Sequence, residues 1–239
     1  MNDLEYTGLI STKHAEMLSW LGINLNFAPC VDVNLNTSNP IIAGKERSFS
    51  TDPEIVSEQA VCMSKIMLKE GIMTCAKHFP GHGSSAEDSH KGLTDITDTW
   101  QTVELMPYRR LIEANCCPMI MIGHLMLRHI DPKLPASLSK KILDSLLKEE
   151  LGFNGIITTD DLQMRAISDH YSLKETIVMA IQAGSDLIVF GNNLLPEYVS
   201  ADQIIQLILD AIKEGSLTEE RIEQSFEKLM TAKSNLKIN

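Results

Sequence analysis

Between residues 77 and 90 the chain places a lysine, three histidines and an aspartate: Lys77-His78-Phe79-Pro80-Gly81-His82-Gly83, then Asp88-Ser89-His90. Imidazoles exchange protons near neutral pH, and a neighbouring carboxylate tunes them. Asp88, two residues before His90, can bond one ring nitrogen, set the tautomer and leave the other nitrogen for proton transfer. The competing reading is an ordinary surface pair; its position directly after the Lys-His run favours the functional one. Lys77 and His78 can donate hydrogen bonds to substrate oxygens. Gly81 and Gly83 allow backbone angles closed to other residues, and Pro80 stiffens the turn. His82 reads as a residue that holds this loop together.

Two further places carry usable chemistry. Asp160-Asp161 follow the apolar run Gly155-Ile156-Ile157-Thr158-Thr159. A helix cap would use one aspartate, leaving the other free as nucleophile or general base. Arg47, in Gly44-Lys45-Glu46-Arg47-Ser48-Phe49, is either a solvated cation or a clamp on an anionic or carbonyl group. His124 ends another apolar run, with a histidine satisfied inside the core as the alternative.

These residues need a scaffold, and the pattern supplies one. Short apolar runs at 24–29, 72–77, 119–123, 155–159 and 186–190 read as buried strands. Between them, 12–21, 53–70, 99–113, 139–150 and 173–183 read as helices, which predicts a parallel α/β sheet. Asp52-Pro53 is a helix start, and Ser216-Leu217-Thr218-Glu219 has the form of a capping box before the last helix. Gly71, Gly152 and Gly184 fall where helices stop. Polar loops at 32–49, 78–92 and 160–172 would share the carboxyl-end face, where α/β enzymes build their sites. No repeat or linker breaks the chain, so residues 1–239 are expected to form a single domain. A closed barrel takes eight strands, and five are legible here.

With 239 residues and 44% hydrophobic content, the chain can fill a sizeable core. The net charge of −11 and lack of a basic block argue against a nucleic-acid partner. Five cysteines, with no CxxC pair, fit neither a disulfide framework nor a zinc ribbon, and point to a reducing compartment. No apolar run approaches the roughly 20 residues of a membrane span, so no membrane partner is expected. The start lacks a basic and apolar leader, which makes cytoplasmic the expectation.

Together these residues resemble glycoside hydrolase family 3, in its bacterial β-N-acetylhexosaminidase (β-N-acetylglucosaminidase) branch. The resemblance rests on the run from Lys77 to His90. Asn26-Phe27-Ala28-Pro29 with Asp32, Arg47-Ser48-Phe49, Glu149-Glu150-Leu151-Gly152-Phe153 and Thr159-Asp160-Asp161-Leu162-Gln163-Met164 support it, in the family's order. It implies a TIM-type (β/α)8 barrel, here lacking its first two β/α units and the sugar-contacting loop they carry. It also implies retaining removal of terminal β-linked N-acetylglucosamine, commonly from peptidoglycan-derived muropeptides in cell-wall recycling. Residue by residue, Asp160 matches the nucleophile, His90 the acid/base and Asp88 its partner, while Arg47, Lys77 and His78 match sugar-binding positions. No metal or organic cofactor is implied, and the partner is a carbohydrate.

Two rival readings remain at this level. One is a metal-dependent hydrolase built on His78, His82, His90 and Asp160. The other is a truncated, non-catalytic fragment that binds sugar or depends on a partner for its missing strands.

Overall fold

The computed structural model describes residues 3–87, 92–194 and 198–234. The chain opens with α1 (Leu4–Trp20), capped by Asp3, and then the short β1 (Leu25–Asn26). Asp52 caps α2 (Pro53–Lys69) through a 2.9 Å bond from the Glu54 N–H. Next come β2 (Met73–Phe79), β3 (Thr94–Asp95), a 3-10 turn (Thr102–Leu105) and α3 (Met106–Glu113). β4 (Met119–Ile122) and β5 (Leu125–Met126) lead to α4 (Lys140–Ile142), which runs on as a π-helical segment (Leu143–Glu150). The chain closes with β6 (Ile156–Asp161), α5 (Arg165–Ser168), α6 (Leu173–Ala183), β7 (Leu187–Val189), α7 (Ala201–Lys213) and α8 (Glu219–Ser234).

The main sheet has five strands in the order β1-β2-β4-β6-β7, every pair parallel. They are the five strands expected from the apolar runs. The sheet curls as part of a barrel, with helices on its outer side. Gly71, Gly152 and Gly184 stop helices with positive φ, as their positions suggested. α7 and the parallel pair β3-β5 had not been foreseen. The capping box needs correcting. Thr218, not Ser216, accepts from the first turn of α8, at the Arg221 N–H, while the Ser216 hydroxyl donates to the Ala211 carbonyl.

Period-two alternation gives the sheet two faces. Ala76, Ile120, Ile122 and Ile157 face outward into the core formed with Tyr108, Leu111 and Leu147. Met73, Cys75, Met119, Met121 and Ile156 face inward, where Leu229 and Ala232 of α8 pack against them. Arg221 and Lys228 of α8 both reach Asp186, just ahead of β7, so the helix lies against the amino-terminal end of the sheet. The opposite, carboxyl end is left to the loops. Among the described residues no helix is long and apolar enough to cross a membrane.

Candidate active site

β2 is where the backbone departs from regular alternation. Ala76 pairs with Ile120 but Phe79 pairs with Ile122, so three steps on β2 match two on β4. This bulge lets Ala76 and Phe79 both enter the outer core while Lys77 and His78 both turn toward the site. Without it, the two would lie on opposite faces. The Ala28–Pro29, Lys77–His78 and Phe79–Pro80 peptides are cis.

Asp32, after β1, is the centre of the polar network. Fully buried between Val31 and Val33, it accepts from the His78 N–H at 3.1 Å and the His82 N–H at 2.7 Å. The Cys30 thiol donates to it at 3.1 Å, and His78 Nδ1 lies 2.8 Å away. On the far side of His78, Arg47 Nη2 is 3.1 Å from Nε2. A guanidinium only donates, so Nε2 accepts and Nδ1–H donates to Asp32. Arg47, His78 and Asp32 thus form one directed chain. Burial opposes the Asp32 charge. His78 and His82, with the bonds from His78 and Cys30, outweigh that and hold the carboxyl well below the usual range.

Asp160 stands two strands away on β6, on the face that Cys75 and Lys77 share. Its Oδ1 accepts from the Asp161 N–H at 2.8 Å, and Oδ2 has no hydrogen-bond partner among the described residues. Burial again opposes ionisation, but His78, His124, the Asp161 N–H and Lys77 lower the pKa. Asp160 is therefore a carboxylate at neutral pH with a free oxygen. The Lys77 ammonium also has no hydrogen-bond partner among the described residues. Asp161 does other work: its Oδ1 accepts from the Gln163 N–H at 3.0 Å, turning the chain, and neither aspartate caps α5, whose N-cap is Met164.

His124 and His82 are both held internally. His124 bonds Ser137 Oγ at 2.7 Å and donates from Nε2 to the Asp161 carbonyl at 2.9 Å, and burial lowers its pKa. It is the core-satisfied histidine of the alternative reading. His82 bonds Ser85 Oγ at 2.7 Å, and its carbonyl accepts from Asn39. Burial pushes its pKa down to about 4 against the pull of Asp32, so it is neutral and holds the loop.

Of the candidate residues, Arg47, Lys77, His78 and Asp160 come together at the carboxyl end of the sheet. Asp88 and His90 lie outside the described residues. Asp32 had entered the sequence reading only as part of a motif, not as a site residue. The available signal was a charged residue between two valines, in a run that buries both neighbours.

The metal reading assigned different ligands from those the structure clusters. Cys30, Asp32 and His78 offer donor atoms within 4.8 Å of one another. Those atoms are spent on one another: Nδ1–H and S–H both donate to Asp32, and a guanidinium abuts the other imidazole nitrogen. The cluster is a neutralised hydrogen-bond network and a poor fit for a cation.

A curled parallel sheet with helices outside and ionised groups at its carboxyl end defines a TIM-barrel-like α/β domain. The chain belongs to glycosyl hydrolase family 3, whose N-terminal domain matches residues 1–232. It is 31% identical to a beta-hexosaminidase A of Pseudoalteromonas piscicida, over 97% of this chain and 41% of that protein. The glycoside hydrolase family 3 beta-N-acetylglucosaminidase of Paenibacillus sp. str. FPU-7 superposes with a TM-score of 0.88 at 34% identity, covering 98% of this chain and 44% of that one. A beta-N-acetylhexosaminidase of Beutenbergia cavernae gives a TM-score of 0.88 at 26% identity, over 97% of this chain and 69% of that one. The chain thus spans about two fifths to a little over half the length of the curated relatives it matches.

Proposed function

We propose that this chain is a retaining glycosidase that removes terminal β-linked N-acetylglucosamine, acting on muropeptide-type substrates in the cytoplasm. The observation that carries the reading is the ionised Asp160 with one free oxygen, beside Lys77 and the Arg47–His78–Asp32 chain. Family membership supports it, as do relatives named for hexosaminidase activity.

In the first step an Asp160 oxygen bonds to the anomeric carbon as the glycosidic C–O bond breaks. His90, oriented by Asp88, gives its proton to the leaving oxygen. In the second step His90 takes a proton from water, whose oxygen bonds to the anomeric carbon and frees Asp160. Retaining enzymes usually pair two carboxyl groups about 5 Å apart; here a histidine takes the second role. The roles of His90 and Asp88 rest on the sequence motif. Arg47 and Lys77 bring donors to the sugar hydroxyls. His78, with both ring nitrogens engaged, orients Arg47.

Asp160→Asn is expected to reduce turnover of a chromogenic β-N-acetylglucosaminide by on the order of 10⁴-fold. A mechanism-based fluorosugar followed by peptide mapping should label Asp160; a label on Asp161 would overturn the assignment. No hydrolysis by the wild-type chain would favour the non-catalytic reading.

A further inference from the structure

The turn after β2 is held from two sides. On one side Asp32 takes the His82 N–H, Asn39 donates to the His82 carbonyl at 2.8 Å, and Asn36 donates to the Gly83 and Ser85 carbonyls. On the other side stands the segment leading into α3. Trp100 Nε1 donates to the Pro80 carbonyl at 3.0 Å. Glu104, only 1% exposed, accepts from the Ser84 N–H through Oε2 at 3.3 Å and from the Gln101 N–H through Oε1 at 3.2 Å. Alternate amides of one turn, those of residues 82 and 84, therefore rest on two different buried carboxylates.

The Gln101 contact belongs to an ordinary capping box, which needs one oxygen only. A glutamine would serve there without a buried charge. The second oxygen leaves its own element and meets the turn. Gly81, at φ +131°, lies so close that a Cβ there would sit 2.7 Å from Glu104 Cβ. Burial pushes this carboxyl up to about 7, against the bonds from Ser84 and Gln101 and with the Asp32 charge adding. Costly buried acceptors are kept where two N–H groups converge.

We propose that Glu104 is a positioning residue for the glycosidase reaction, clasping the Ser84 amide so that His82 stays on Asp32 and the Asp32–His78–Arg47 chain keeps its direction. This rests on the glycosidase reading, and the test separates the two. Glu104→Gln keeps the volume and the capping acceptor but gives up the second oxygen. The variant is expected to melt near the wild-type temperature and to lose about tenfold in kcat with KM within about twofold. By NMR, its Ser84 amide should exchange faster and its His78 Nδ1–H resonance should move. A purely structural role would instead lower the melting temperature and leave kcat alone, which would overturn the proposal. So would unchanged Ser84 exchange, with or without activity. A wild-type chain that hydrolyses nothing would sink the glycosidase reading, while faster Ser84 exchange and a moved His78 signal in Glu104→Gln would still support the clasp. Should Glu104→Gln fail to fold, Trp100→Phe removes the neighbouring bond to Pro80 and leaves Glu104 in place. Ser84 exchange unchanged in that variant supports Glu104 as the clasp; exchange raised to the unfolded rate overturns it.

Discussion

Four donors converge on Asp32: the amides of His78 and His82, the His78 ring and the Cys30 thiol. Asp32→Asn replaces one acceptor oxygen by a donor facing donors. It is expected to cost on the order of 3 kcal/mol, read from denaturant midpoints, and to lower kcat/KM by freeing Arg47. Two other buried groups set a pH dependence with opposite signs. His82 is lowered to about 4 from 6.5, so its unfolded form takes up protons first and stability falls as pH drops from 6.5 to 4. Glu104 is raised to about 7 from 4.5, so its folded form keeps a proton longer and stability falls as pH rises from 4.5 to 7. Between pH 4.5 and 6.5 the Glu104 slope opposes that of His82 and that of His124, whose pKa burial lowers in the same direction. In Glu104→Gln only the histidine slopes remain, and urea midpoints should climb more steeply with pH than in wild type across that window. A profile no steeper than wild type would refute the Glu104 assignment.

At the scale of elements, the loop after β2 is built on close approach. A Cβ at Gly83 would lie 1.7 Å from the Val33 carbonyl oxygen, a contact that only backbone movement relieves. Gly83→Ala is therefore expected to destabilise by on the order of 3 kcal/mol and to abolish activity, because Val33 adjoins Asp32. Gly92→Ala, in the same connection but with no atom within 4 Å of the added Cβ, should melt like wild type. Thermal melts of the pair check both. The bulge in β2 also acts at this scale, turning two consecutive side chains toward one site. Strand alternation in the sequence assigns Lys77 and His78 to opposite faces, so this could not be read from spacing. The strands themselves could, since apolar runs of buried parallel strands are their own signal. β3 and β5 were missed because two-residue strands leave no period to detect, whereas the helix expected over 139–150 is present, its second part wound as a π-helix.

At the scale of the whole molecule, five parallel strands leave the outer edges of β1 and β7 unpaired among the described residues. α1, packed on α2, exposes Tyr6, Leu9, Met17 and Trp20, the last 84% accessible. Open edges and apolar faces of this kind associate. Sedimentation velocity should show concentration-dependent self-association that the double variant Leu9→Glu, Trp20→Glu reduces; equal behaviour of the two proteins would remove that explanation. The family, the five strands and the gathering of Arg47, Lys77, His78 and Asp160 at one end of the sheet were legible in the amino-acid sequence. Motif chemistry and hydrophobic period are local properties, and they survive without coordinates. Only the tertiary structure decided that Asp32 and Glu104 cradle one turn, that His78 is spent on Arg47 and Asp32, and that Asp160 comes under the influence of Lys77 and His78. Those facts depend on which donors from distant segments reach one buried carboxylate, and spacing along a chain carries no record of that.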